Sequence, residues 1–238
     1  MFQSYASSSG GNAYLVTDGV TKILIECGIS FKKLQALTGF SLHELDACLV
    51  SHEHKDHCKC VDKMISAGIP TYLSQGTARN LGIGENLLDM ALEMEKGKQF
   101  RVGTVEIVPF ATFHDAQEPL GFLLKSMRDG DILAFATDTV SLPYRFPGVT
   151  ILAVEANFDH GRLWRCEKLP EKTKRRIENT HMEIGRLCEE LGRMDLSRCR
   201  EIYLLHLSSS SSCVYEFEDM VRRRVPPAVR VTACPKGG

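Results

Sequence analysis

The chain has 238 residues, 43% of them hydrophobic and 25% charged, with a formal net charge of −1. That length buries a sizeable core, and the near-neutral balance excludes a globally basic nucleic-acid binder, leaving only a local patch for that role. No apolar run reaches the roughly 20 residues of a membrane span, the opening "MFQSYASSSGGN" lacks the basic and apolar segments of a signal peptide, and nine scattered cysteines without a secretion signal point to reduced thiols in a cytoplasmic protein.

In chain order, residues 13–17 and 21–26 read as strands joined by Asp18-Gly19, a hairpin signal. Residues 31–37 read as a short helix closed by Gly39, and 47–51 as a buried strand. Val61, Met64 and Ile65 have helical spacing, stopped by Gly68 and Pro70. A strand at 71–74 and a hairpin at 100–110 follow. Strands 121–125 and 132–137 flank "RDGD", a second hairpin signal. Then come a buried strand at 149–156, an amphipathic helix at 183–194 and a strand at 202–207. A helix at 214–225 and an edge strand at 228–233 close the chain. This mixture predicts one α+β domain over residues 1–238, with a mixed sheet or two sheets covered by helices.

Four apolar segments each end on a residue able to bind metal: His52, His114, Asp138 and His206. Sites in sheet proteins lie beyond the carboxyl ends of strands, so four endings of the same sense point to one site. His52 and His54 are two apart, so their rings can face the same way. Asp56 and His57 follow in the turn into the next helix. Five histidines and two aspartates are too many for one tetrahedral ion. They suit two divalent ions (Zn, Mn or Fe) about 3.5–4 Å apart with a bridging carboxylate. Cys58 and Cys60 lack the C-x₂₋₄-C spacing of a zinc site and read as helix residues. His43 and His160 read as surface or satisfied histidines.

The pattern His52-x-His54-x-Asp56-His57, then His114, Asp138 and His206, resembles the ligand set of metallo-β-lactamase-fold hydrolases. The fold this implies is a four-layer αββα sandwich with the site at one edge. Within that superfamily, "ASSSGGNAYLV", "FHDAQEPLGF", "ATDT", "EANFD" and "HLSSSSS" resemble the signatures of YycJ/WalJ-like exonucleases. The 68 positions from Asp138 to His206 leave no room for the inserted domain of β-CASP nucleases. The resemblance implies that His52, His54 and His114 hold one metal, that Asp56, His57 and His206 hold the other, and that Asp138 bridges them. His181 falls where related ribonucleases carry a histidine that meets the scissile phosphate. Their small hydroxyl residue two positions later is Glu183 here. Their aspartate at the end of the second strand, which orients ligands, is Glu26 here.

The expected activity is metal-assisted phosphodiester hydrolysis of nucleic acid, DNA above all, with Asp56 and His181 as catalytic residues. Asp56 would accept a hydrogen bond from the nucleophile, and His181 would give a proton to the leaving oxygen. Residues 160–178 hold seven Lys and Arg against three acids. There Arg162, Lys172, Lys174, Arg175 and Arg176 form a candidate phosphate-backbone track. Ser208, Ser209, Asn157 and Asn12, the last if residues 7–12 fold over the site, are further candidate substrate contacts. Two other readings fit the same residues: a small-molecule hydrolase acting on a cyclic phosphodiester, thioester or lactone, and a metal-binding sensor without turnover.

Overall fold

The computed structural model describes residues 2–39, 41–83 and 91–235. The first sheet begins with β1 (Phe2–Ser8), β2 (Gly11–Thr17) and β3 (Lys22–Ile25), all antiparallel. It continues in parallel through β4 (Ala47–Leu49), β5 (Thr71–Ser74) and β6 (Ala91–Met94). The second sheet contains β7 (Phe100–Val102), β8 (Val105–Ala111), β9 (Leu120–Ser126), β10 (Ile132–Ala136), β11 (Ile151–Glu155), β12 (Glu201–Leu205) and β13 (Arg230–Ala233). Its spatial order is β13-β12-β11-β10-β9-β8-β7, antiparallel up to β10 and parallel from β10 to β13.

Three cores define four layers. The central core packs Tyr14, Ile23, Ile25 and Leu49 of the first sheet against Ile107, Phe122, Phe135 and Ala153 of the second. Alternation along each strand sends the intervening residues to the outer faces. On the first sheet's outer face, Leu24, Cys48 and Leu73 meet Leu34 of α1 (Phe31–Leu37) and Val61, Met64 and Ile65 of α3 (Val61–Ser66). The one-turn α2 (Lys55–Cys58) and α4 (Gln75–Leu81) lie along the same half of the chain. On the second sheet's outer face, Leu152, Val154, Ile202 and Leu204 meet α7 (Ile184–Leu191) and α8 (Val214–Arg222). Between β11 and α7 come α5 (His160–Arg165) and α6 (Glu171–Thr180). The result is the αββα sandwich.

The N-terminal strand β1 was not legible in the sequence. "FQSYASS" is mostly small and polar, and its pairing is interrupted by a bulge between Ser4 and Ala6. It becomes a strand because β2 templates it. The expectation that residues 7–12 form a loop over the site is therefore corrected. Ser7 and Asn12 lie in β1 and β2 and are fully buried.

The two sheets are also tied at the rim where β3, β8 and β10 begin. Asp18 Oδ2 accepts hydrogen bonds from Thr104 Oγ1 at 2.5 Å and Ser126 Oγ at 3.2 Å. At the opposite rim, six of these strands end on site residues.

Candidate metal centre

Six of the site residues leave strand ends. Glu26 follows β3, His52 follows β4, His114 follows β8, Asp138 follows β10, Glu155 ends β11 and His206 follows β12. The backbone turns sharply at several of these points. Among the described residues, four non-glycine residues have positive φ, and three of them are Glu26 (65°), Asp138 (43°) and His206 (54°). Such conformations cost on the order of 1–3 kcal/mol each and persist where surrounding structure enforces them. The helix α2, which carries Asp56 and His57, sits hard against Gly28, where a Cβ would lie 1.6 Å from Asp56 O. Only glycine allows that approach.

The ligand-type side chains converge in two neighbouring clusters. His52, His54 and His114 form the first, and Asp56, His57, Asp138 and His206 the second. In the first, His54 Nδ1 lies 3.1 Å from both His52 Nε2 and His114 Nε2. Two nitrogens bound tetrahedrally at zinc-like lengths would stand about 3.3 Å apart. In the second, Asp56 Oδ2 lies 3.2 Å from His206 Nε2 and 3.4 Å from His57 Nε2. Asp138 faces both clusters, with Oδ1 3.4 Å from His57 Nε2 and Oδ2 3.4 Å from His114 Nε2.

Hydrogen bonding and protonation leave these groups as a donor set compatible with divalent metal binding. His114 Nδ1 donates to the Thr180 carbonyl at 2.8 Å. Burial holds the His114 imidazole pKa below its ordinary value, so the ring is neutral and its Nε2 offers a bare lone pair. That lone pair faces Asp138 Oδ2 at 3.4 Å and Asp115 Oδ1 at 3.3 Å. A lone pair against two carboxylates is repulsive unless a positive charge lies between them. Burial likewise keeps His52 neutral, well below the usual histidine range. Burial works against ionisation of Asp138, but His206, His57 and His181 outweigh it and hold the carboxyl well below its usual range. For His206 burial disfavours the proton, yet Asp138, Asp56 and Glu155 push its pKa up to about 10. Nitrogen and carboxylate donors in this arrangement fit a divalent transition metal.

The surrounding groups hold the ligands in place. Glu26 is completely buried, accepts a long hydrogen bond from Ser51 N at 3.3 Å and lies 3.6 Å from His57 Nδ1. Asn12 and Asn157, expected as substrate contacts, are buried among the ligands. Asn12 Nδ2 donates to Asp56 O at 3.1 Å and lies 3.2 Å from His57 Nε2. Asn157 Nδ2 donates to His206 O at 2.8 Å. The cysteines stand apart from both clusters. Cys58 Sγ donates to Glu53 O and Cys60 Sγ to Cys27 O, and burial pushes the Cys58 thiol up to about 12.

Sequence reasoning missed Glu155. It is fully buried, its Oε1 is 2.6 Å from His181 Nδ1 and 3.3 Å from His206 Nδ1, and its Oε2 accepts from Thr139 N and Met182 N. The signal was present, since Glu155 is an acid at the end of an apolar strand, like the other site residues. Glu53 was also missed. Its Oε1 accepts from Gln117 N at 2.7 Å and ties the His52–His54 turn to the loop after His114.

The predicted basic track is largely engaged within the protein. Arg162 pairs with Glu216, Arg175 with Glu171 and Arg176 with Asp115. Lys174 is turned inward, donating to Trp164 O at 3.0 Å. Lys172 and Ser209 are exposed. Ser208 Oγ accepts from Ser210 N and Ser211 N and so closes the serine turn upon itself.

Residues 21–207 match the Beta-lactamase superfamily domain. The chain belongs to the beta-lactamase superfamily. Over 222 residues it is 29% identical to Exodeoxyribonuclease YycJ of Bacillus anthracis, covering 87% of this chain and 82% of that one. It is also 29% identical to Exodeoxyribonuclease WalJ of Streptococcus pneumoniae over 226 residues, covering 87% and 81%. The metallo-β-lactamase fold protein YhfI from Bacillus subtilis has the same fold, with a TM-score of 0.71 over 100% of this chain and 97% of its own at 16% identity. This superfamily member is a metal-dependent hydrolase, and its His and Asp clusters are compatible with divalent metal binding. Among the described residues, no helix is long and apolar enough to cross a membrane.

Proposed function

We propose that this chain is a two-metal phosphodiesterase acting on nucleic acid, and specifically a DNA exonuclease. The observation that carries the reading is the placement of Asp138, whose two oxygens face separate ligand triads at 3.4 Å each. That arrangement suits a carboxylate bridging two ions, with His52, His54 and His114 on one and Asp56, His57 and His206 on the other. The two relatives named as exodeoxyribonucleases support the choice of substrate.

Bound divalent ions would supply a hydroxide near neutral pH and neutralise charge building on the phosphate oxygens. The chain's own groups do the rest. Asp56 is the most open of the second cluster's ligands, its side chain 24% exposed, and it orients the nucleophile by accepting its hydrogen bond. His181 is buried beside Asp138 with Nδ1 held by Glu155. Burial disfavours its proton, but Glu155 and Asp138 raise its pKa above the ordinary value. That makes it a proton donor for the leaving oxygen. Of the expected backbone contacts, Lys172 is exposed, and Arg176 is tied to the site through Asp115 beside His114.

The test combines metal analysis with a substrate panel. Purified protein is assayed for bound metal, then incubated with Mn²⁺ and end-labelled single- and double-stranded DNA, RNA and a thioester. Two ions per chain and stepwise shortening of DNA are expected. Thioester cleavage with no attack on nucleic acid would overturn the reading, and two bound ions with no hydrolysis would favour a sensor.

A further inference from the structure

Beside His181 the surface sinks into a pocket of about 360 Å³. Val140 and Phe158 give it apolar wall, His160 and Arg186 offer donors, and Glu178 and Glu183 present carboxylates. His181 is only 7% exposed and lines this pocket. Its Nδ1 is taken by Glu155, while its Nε2 makes no hydrogen bond among the described residues.

Both carboxylates are fixed. Glu178 Oε1 accepts from Trp164 Nε1 at 2.7 Å and lies 2.8 Å from His160 Nδ1. Glu183 precedes α7, and its Oε2 accepts from Arg186 N at 2.9 Å. A helix N-terminus ordinarily attracts phosphate. Here the chain's own carboxylate fills that position. Gly185 makes room for it, since a Cβ there would stand 2.8 Å from Glu183 Oε2. Alanine would be the better helix former at that position.

We propose that this pocket receives the last nucleoside of a strand by its hydroxyl end, and that Glu178 and Glu183 exclude a further phosphate, so that cleavage begins at strand termini. The inference rests on the nuclease reading of the same site. A terminal hydroxyl can donate to either carboxylate, whereas a phosphate a few ångströms from both is disfavoured by about tenfold where Arg186 and His160 in the same wall offset the two carboxylates only in part. An internal phosphodiester meets the same barrier as a terminal phosphate.

The full-length enzyme with Mn²⁺ is given four oligonucleotides of one sequence: hydroxyl at both ends, phosphate at the 5′ end, phosphate at the 3′ end, and a closed circle. The hydroxyl-ended strand is expected to be cut about tenfold faster than the strand phosphorylated at the attacked end, and the circle to resist. In Glu183→Gln and in Glu178→Gln the ratio should fall to within about threefold. Glu183→Ser keeps a capping oxygen and reads the same ratio should Gln perturb folding. Fluorescence anisotropy on the metal-free protein should rank the ends in the same order without turnover. Equal rates on both ends in the wild type would overturn the proposal. So would an undiminished ratio in both glutamine variants, each melting like the wild type. Should the wild type cut no strand at all, the nuclease reading itself fails and this inference falls with it.

Discussion

Glu155 Oε1 stands 2.6 Å from His181 Nδ1, which couples the end of β11 to the residue that closes α6. The same oxygen lies 3.3 Å from His206 Nδ1, so one buried carboxylate orients two imidazoles. Its second oxygen is fixed by two backbone N–H groups, which leaves it little freedom to follow the histidines.

The substitution Glu155→Gln keeps the shape and removes the charge that retains the His181 proton. Turnover is expected to fall by about 10–100-fold, the usual effect of losing a carboxylate that orients a metal-site histidine. Circular dichroism melts should stay near the wild type, since the amide can still bond both backbone donors. Unchanged kcat in a folded Glu155→Gln protein would show that His181 needs no charged partner.

Asp138→Asn tests the bridge. Asparagine keeps one oxygen acceptor but removes the charge that faces both clusters. Bound metal, measured by plasma emission spectrometry, is expected to drop from two ions to one or fewer, with turnover down by more than about a hundredfold. Full metal content with full turnover would exclude a bridging role.

Much of this site was legible because its residues follow a rule of sheet architecture. His52, His114, Asp138 and His206 each end an apolar run, and the structure gathers all four at one rim. The helix at Phe31–Leu37 and the strand at Thr71–Ser74 have the bounds their sequences suggest, because capping and turn residues flank them. What was hidden depended on neighbours. β1 has no period of its own and forms by pairing with β2. Asn12 reads as a loop residue until Tyr14, Asp56 and His57 surround it. The charges near α6 read as a basic track because sequence shows the cations and not the acids that fold onto them from positions 115 and 216.

Lys174 shows the practical consequence. It is 8% exposed, donates to Trp164 O, and its Nζ lies 5.6 Å from the Trp164 ring centroid. Lys174→Ala removes a charge-assisted hydrogen bond and a buried stem, so it is expected to destabilise the fold by about 1–3 kcal/mol in chemical denaturation. Oligonucleotide affinity should change by less than about twofold, because the ammonium is held on the Trp164 carbonyl. A loss of affinity and of salt dependence at constant stability would return Lys174 to the substrate track.

Asp18 sets a pH dependence of stability far from the site. Burial alone would raise its pKa, but hydrogen bonds from Thr104, Thr21, Val20 and Ser126 bring it down to about 2. A carboxylate whose pKa is depressed on folding contributes stability above its unfolded value near 3.9 and loses it as pH falls through the folded value. The window therefore runs from about pH 5, where the contribution is complete, down to about pH 2. Partial exposure of the turn reduces the full linkage value to about 1 kcal/mol. Asp18→Asn should thus lower Tm by about 2–4 °C at pH 7, and the gap should narrow below about pH 5 and close only below about pH 2. A gap of constant size across that range would mean that Asp18 acts through shape and hydrogen bonding alone, and that the clamp between the two sheets does not need its charge.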